Sequence, residues 1–267
     1  MENMASSNQD GIRKKYVVVM AAGSGTRMGG SLPKQFLELS SKAVLQRTIE
    51  VFLEAFQDIN VVVVLSPDYI DYWKKYCLER NFICPQILVA GGITRFHSVR
   101  NALERIPDGA LVAVHDGVRP LLTPDLVRRM FRESESVEAL IPVTPCVDTM
   151  KVLKKVTAPG GTQTLEPVPG AKADRDLLYG AQTPQIFHSE LLKAAYSQAY
   201  DTAFTDDGSV VEKYGKSLSY TIGERLNIKI TTPEDLLLAQ AIDLCRKRSV
   251  VYSFLLFLIE AEKLVLW

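Results

Sequence analysis

The sequence predicts an α/β fold, a Rossmann-like and mostly parallel sheet flanked by helices, with a projecting β-hairpin dimerisation arm. Three features of the chain point to it. Short continuous apolar runs, read as strands buried on both faces, alternate with amphipathic helical stretches at βαβ spacing. The first run opens directly into a Gly-rich, basic loop between Ala21 and Lys34. The alternation then breaks between Pro142 and Pro184, where too little is apolar to bury against the sheet.

In chain order, Val17 to Met20 is the first buried strand, and Ala43 to Phe56 repeats apolar residues at helical spacing. Val61 to Leu65 is a second strand, Tyr69 to Arg80 a helix, and Gln86 to Ala90 a third strand closed by Gly91 and Gly92. Arg95 to Ile106 is helical, Ala110 to His115 a fourth strand ending in HDGVRP, Pro124 to Glu133 a helix, and Glu138 to Val143 strand-like. Beyond it, Thr149 to Val156 and Thr164 to Val168 flank a turn cluster and read as a hairpin that would pack on a partner subunit, with a disordered surface insertion as the alternative. Helical pattern resumes at Ser189 to Ala199 and Pro233 to Arg246, with Asn227 to Thr231 as a last short strand between them. In sheets of this kind ligands bind at the carboxyl ends of strands, which selects the loops 21–34, 91–98 and 115–120.

Composition narrows the function. The chain has 267 residues, 47% hydrophobic and 23% charged, which suits one large domain or one domain with an appendage. Lys plus Arg and Asp plus Glu are 31 each, so nothing global attracts nucleic acid or an anionic membrane. Cys77, Cys84, Cys146 and Cys245 form no CxxC pair, which predicts a reduced, cytoplasmic setting. His97, His115 and His188 lack ligand spacing, so no structural metal site is expected. Residues 1–15 read as a disordered lead-in, 16–246 as the folded domain with its arm at about 142–184, and 247–267 as an apolar tail. The tail's apolar run, Val250 to Ile259, is shorter than the roughly 20 residues a membrane span needs.

The loop itself is a polyphosphate site in outline. Small residues and glycines let the backbone approach a ligand, while Arg27 and Lys34 bring positive charge; the plainer alternative is an ordinary βα turn with two solvated cations. Two familiar phosphate loops fail on spacing. Met28 stands where a dinucleotide fingerprint needs glycine, and Gln35 follows Lys34 where a P-loop needs Ser or Thr.

AAGSGTRM, PKQF, GGITRFHSV, HDGVRP, DTMK, YGAQTPQIF, TDDGSVVE and NIKITTPEDL follow one another in this order. Together they resemble the 2-C-methyl-D-erythritol 4-phosphate cytidylyltransferase family, over about residues 16 to 246. The resemblance implies transfer of CMP from CTP to a sugar-alcohol phosphate, release of pyrophosphate, Mg²⁺ bound mainly through the CTP phosphates, and a homodimer clasped by its arms. It implies Arg27, Lys34, Arg175 and Lys229 as catalytic cations. It implies Ala21, Ala22, Gly23, Gly25, Gly92, Arg95 and Ser98 at CTP, and Asp116, Thr183 and Thr205 at the acceptor. Arg175 and Thr183 would reach in from the partner's arm, and Asp116 would touch the acceptor or the metal. Two plainer readings stand beside these: Arg119 pairing with Asp116, and Asp174 and Asp176 holding Arg175 in a surface ion pair. Ile93 stands where some relatives carry an acidic residue. Ribitol 5-phosphate cytidylyltransferase shares several of the motifs. A nicotinamide-dependent oxidoreductase has only the βαβ pattern in its favour, and a catalytically dead nucleotide-binding subunit is opposed by the presence of both loop cations.

Overall fold

The computed structural model describes residues 13–23, 32–158 and 161–248. The lead-in up to residue 12, Gly25 and Arg27 of the loop, and the tail from 249 lie outside the described residues. The elements follow the sequence closely at first: β1 (Lys14–Ala21), a short hairpin β2 (Glu38–Leu39) and β3 (Lys42–Ala43), α1 (Val44–Ala55), β4 (Asn60–Leu65) and α2 (Ile70–Glu79). Then come β5 (Gln86–Ala90), α3 (Arg95–Leu103), β6 (Ala110–Asp116), α4 (Pro124–Glu133) and β7 (Ala139–Pro145). The second half adds β8 (Leu153–Thr157), β9 (Gln163–Pro167), β10 (Tyr179–Ala181), β11 (Gln185–His188), α5 (Ser189–Tyr196), α6 (Asp207–Lys213), β12 (Ser219–Ile222) and a helix α7 over 233–248.

The main sheet runs β7-β11-β6-β1-β4-β5, with β10 and β12 also paired to β7. Strands β6, β1, β4 and β5 are parallel neighbours; β6, β1 and β4 are covered on both faces, in keeping with their continuous apolar runs, while the edge strand β5 leaves Ile87 exposed. One face packs Val17, Val19 and Val63 against Leu45, Ile49 and Phe52 of α1, Trp73 of α2 and Phe131 of α4. The other packs Val18, Val62 and Val112 against Val99 of α3, Leu192 of α5 and Val211 of α6.

Four differences from the sequence reading matter. Strand β1 begins at Lys14, inside the expected lead-in, and Arg13 already pairs with Glu190 at 3.0 Å. Strand β11 is antiparallel and lies between β6 and β7, so TPQIF belongs to the core. The stretch outside the main sheet is shorter than the expected arm at 142–184: among the described residues β8 and β9 pair only with each other, but β10 has already rejoined the sheet. NIKIT is not a strand. A backbone bond from the Ile230 N–H to the Val118 carbonyl, at 2.9 Å, anchors an irregular segment that carries Ile230 into a small cluster with Val118 and Ala239.

Phe52 shows how the core supports the strand ends. It is fully buried and its ring stands edge-on to the His115 ring, centroids 5.1 Å apart. Phe52→Ala should lower unfolding free energy by about 3–5 kcal/mol, the range for truncating a buried aromatic. Urea denaturation would check this, and a loss below about 1 kcal/mol would mean that the site wall is loosely packed.

Candidate active site

The ends of β1, β5 and β6 open into a cavity of about 480 Å³. Its walls come from Ala21, Ala22 and Gly23 after β1, Lys34 and Gln35 at the far end of the loop, and Gly92 to Arg95 and Ser98 after β5. Asp116 of β6, Val118 and Lys229 complete it. Of the twelve expected site residues that are described, nine line this cavity: Ala21, Ala22, Gly23, Lys34, Gly92, Arg95, Ser98, Asp116 and Lys229.

The close approach of these loops depends on missing side chains. A Cβ on Gly91 would stand 2.5 Å from the Ala22 Cβ, and one on Gly117 would stand 2.9 Å from the Met20 carbonyl oxygen. Ser98, at 3% exposure, accepts a hydrogen bond from the Gly92 N–H at 3.0 Å and donates to the Thr94 carbonyl at 2.9 Å. Its hydrogen is therefore engaged, and what it offers the cavity is a lone pair. Ile93 is almost fully exposed at the mouth.

Asp116 is the electrostatic centre. Lys229 Nζ lies 3.0 Å and Arg119 Nε 3.1 Å from its Oδ2, and Arg95 lies 4.0 Å from its Oδ1. Burial alone would raise its pKa, but Lys229, Arg95 and Arg119 outweigh burial and hold it well below the usual carboxylate range. The plainer reading of Arg119 is the observed one. Arg95 is itself fixed by a second carboxylate, the fully buried Asp207, through a bidentate pair at 2.6 and 2.8 Å. Tyr196 donates its hydroxyl to the same Asp207 at 2.6 Å. Three cations thus face two carboxylates, which leaves positive charge for an anionic ligand.

Behind Asp116 runs a hydrogen-bond chain. The Asp116 N–H donates to Thr183 Oγ1 at 3.1 Å. His115 Nε2 lies 3.2 Å from the Arg119 carbonyl, which only accepts, so the proton sits on Nε2. His115 Nδ1, 3.0 Å from Thr183 Oγ1, then accepts the threonine proton. Thr183 is therefore not an arm residue reaching toward another subunit. It is buried at 6% exposure beneath its own chain's Asp116, because β11 carries it into the sheet.

Thr205 and Arg175 also stand apart from the cavity. Thr205 lies on an exposed loop beside a small hollow with Phe96 and Asp206, its N–H bonded to Ser209 Oγ at 3.0 Å. Arg175 is exposed, with Asp176 at 3.8 Å and the Val147 carbonyl at 3.5 Å. Gln35 was not expected in the site. At 2% exposure its Nε2 donates to the carbonyls of Ala21 at 2.7 Å and Gly23 at 3.1 Å, tying the loop's two ends together. Its place beside Lys34 in PKQF was the available hint.

Among the described residues no group of three His, Cys, Asp or Glu side chains is placed to hold a metal ion. Asp116, the one carboxylate on the cavity wall among them, is already met by three cations and suits no further one.

Comparison with known proteins gives a consistent picture. Residues 16–244 match the family model described as 2-C-methyl-D-erythritol 4-phosphate cytidylyltransferase. The chain is 41% identical to the protein of that name from Bacteroides thetaiotaomicron over 86% of this chain and 99% of the relative. Among solved structures it is similar to 4-diphosphocytidyl-2C-methyl-D-erythritol synthase from Anaerococcus prevotii, with TM-score 0.70, 27% identity, and coverage of 86% of this chain and 96% of that one. It is also similar to 2-C-methyl-D-erythritol 4-phosphate cytidylyltransferase from Thermus thermophilus, with TM-score 0.63, 30% identity, and coverage of 86% and 98%.

The geometry of His115 sets a pH dependence. Burial pushes its pKa down to about 4, whereas the unfolded chain protonates near 6.5. The unfolded state therefore gains protons first as pH falls, and stability is lost between about pH 6.5 and 4, by roughly 3 kcal/mol in all. Denaturant midpoints measured across this window should fall more for the native sequence than for His115→Gln. Equal losses in both would remove His115 as the cause.

Proposed function

The chain belongs to the 2-C-methyl-D-erythritol 4-phosphate cytidylyltransferase family, and from that premise we infer how its site works. It is an enzyme that transfers CMP from CTP to 2-C-methyl-D-erythritol 4-phosphate and releases pyrophosphate, in isoprenoid precursor biosynthesis. The observation that carries the division of labour is that Lys34 and Lys229 line one cavity from different segments.

The cytosine sits at the ends of β1 and β5. There the remaining lone pair of Ser98 Oγ accepts from the base's exocyclic amine, a donor that uracil lacks. The backbone of Ala21 to Gly23, held by Gln35, lies along the triphosphate. Lys34, together with Arg27, meets charge at the α-phosphate and the departing pyrophosphate. Lys229 holds the acceptor phosphate, and Asp116 holds Lys229. A phosphate monoester is already ionised near neutral pH, so its oxygen attacks the α-phosphorus without a general base, and catalysis is positioning plus charge stabilisation. Neutral His115 takes no part in proton transfer. Mg²⁺ would be held mainly by the CTP phosphates, where it would offset their charge, and no step here is assigned to a protein-bound ion.

Dimerisation through the arm is part of the same proposal. The hairpin and its flanks expose Val147, Leu153, Leu165, Leu177 and Tyr179, which a partner subunit would cover. Arg175, exposed beside them and absent from its own chain's cavity lining, would complete the partner's site. Residues 16–246 act as the catalytic unit in this reading. The proposed compartment is the cytoplasm, in keeping with Cys77, Cys84 and Cys146 forming no disulfide. No helix of the described residues is long and apolar enough to cross a membrane.

With CTP and Mg²⁺, pyrophosphate release should be well above background with 2-C-methyl-D-erythritol 4-phosphate and far lower with ribitol 5-phosphate; the reverse preference would overturn the acceptor. Lys34→Ala should lower kcat by about 10²–10³ while moving the KM for CTP much less. A variant with normal kcat and only a raised KM would make Lys34 a ground-state binder. Mixing Lys34→Ala with Arg175→Ala chains tests the shared site. Half of randomly reassorted dimers are mixed and hold one intact site, so activity should recover to about a quarter of the unmutated enzyme. No recovery in a preparation with verified mixed dimers would return Arg175 to its own subunit.

A further inference from the structure

We propose that Asn227 is a positioning residue for the acceptor end of the site: it sets where Lys229 stands against Asp116. Its side-chain Nδ2 donates to the Thr183 carbonyl at 2.8 Å, and its own carbonyl accepts from Arg119 Nη1 at 2.7 Å. Arg119 in turn grips Asp116 Oδ2 at 3.1 Å, and the Asp116 N–H reaches Thr183 Oγ1 at 3.1 Å. Asp116, Arg119, Asn227 and Thr183 therefore close a ring drawn from three distant segments. Lys229 hangs from this ring two residues beyond Asn227 and lies 3.0 Å from Asp116.

The choice of residue argues for a role beyond packing. Asn227 is fully buried, and its Oδ1 has no hydrogen-bond partner among the described residues. An unpaired buried acceptor destabilises the fold, and an aliphatic side chain of similar volume would avoid that penalty. Its amide hydrogen bond to Thr183 is what an aliphatic could not supply. The segment it fixes has no strand pairing among the described residues to set its register. A shift of about 1 Å in a group holding substrate is enough to slow a reaction strongly.

The inference rests on the reading of Lys229 as the cation at the acceptor phosphate, so the test separates the two. Asn227→Ala, Lys229→Ala and the double variant are assayed with CTP, Mg²⁺ and 2-C-methyl-D-erythritol 4-phosphate, with folding followed by urea denaturation. Asn227→Ala should lower kcat/KM for the acceptor at least about tenfold and leave the KM for CTP within about twofold. In the double variant, activity should match Lys229→Ala alone within about twofold, because Asn227 acts only through that lysine. Losses that multiply, or a KM for CTP that rises as much as that for the acceptor, would overturn the inference and leave Lys229's role intact. Near-normal activity in Lys229→Ala would overturn both. Should Asn227→Ala not fold, Asn227→Ser, whose hydroxyl keeps the space polar, takes its place. Failure of both to fold would make Asn227 a general stability residue and end the proposal.

Discussion

Asp116 is a carboxylate almost withdrawn from water, and the pairing that makes it tolerable there is what organises the site. A buried charge without partners would be strongly unfavourable, so Lys229, Arg119 and Arg95 must converge on it. Each of those cations belongs to a different local structure: an irregular segment near the C-terminal helix, the turn after β6, and the first turn of α3. One anion therefore draws three separate pieces of chain to the same end of the sheet. The cluster remains net positive, which is what two phosphorylated substrates require.

The position of Asp116 comes from the sheet rather than from its neighbours in sequence. Parallel pairing sets Asp116 opposite Met20 of β1, so the loops that line the cavity after β1 and β6 leave the sheet at the same level. The absence of a side chain at Gly117 keeps the two exits close, and its N–H bonds to the Met20 carbonyl at 2.9 Å. The inserted antiparallel β11 then brings Thr183 underneath, where it supports the Asp116 backbone and shares its hydroxyl proton with His115. Neutral His115 suits that place because an imidazolium would present a second donor where only an acceptor is wanted.

The two halves of the cavity are built on different principles. In the proposed reading the base is met by backbone groups, small residues and hydrogen bonds within one or two loops, such as Gly92 to Ser98 and Gln35 to Ala21, with Lys34 left for the phosphates. The proposed acceptor side relies on charge, Lys229 and Arg119 against Asp116, beside a bidentate Arg95–Asp207 pair that spans 112 residues of sequence. Backbone shape suits a flat base that must be told from others by its edge. Convergent cations suit a phosphate whose charge matters more than its outline.

Much of the fold is legible in the chain itself. Periodicity is a local property, so the strands Gln86–Ala90 and Ala110–Asp116 and the helix Pro124–Glu133 read from it within a residue of their observed limits. The strand-end rule then selects the loops that line the cavity, and the ordered motifs carry the family and the reaction. What only the tertiary structure decided lies in contacts without a periodic trace. Thr183 reads as an arm residue until β11 is placed beside β6, NIKIT reads as a strand until no described strand is found to pair with it, and Gln35 reads as a mere neighbour of Lys34. The partners of Asn227 and Asp207 are 44 and 112 residues away. A hydrogen bond across that distance is specified by where two elements end in space, and no window along the sequence contains both ends.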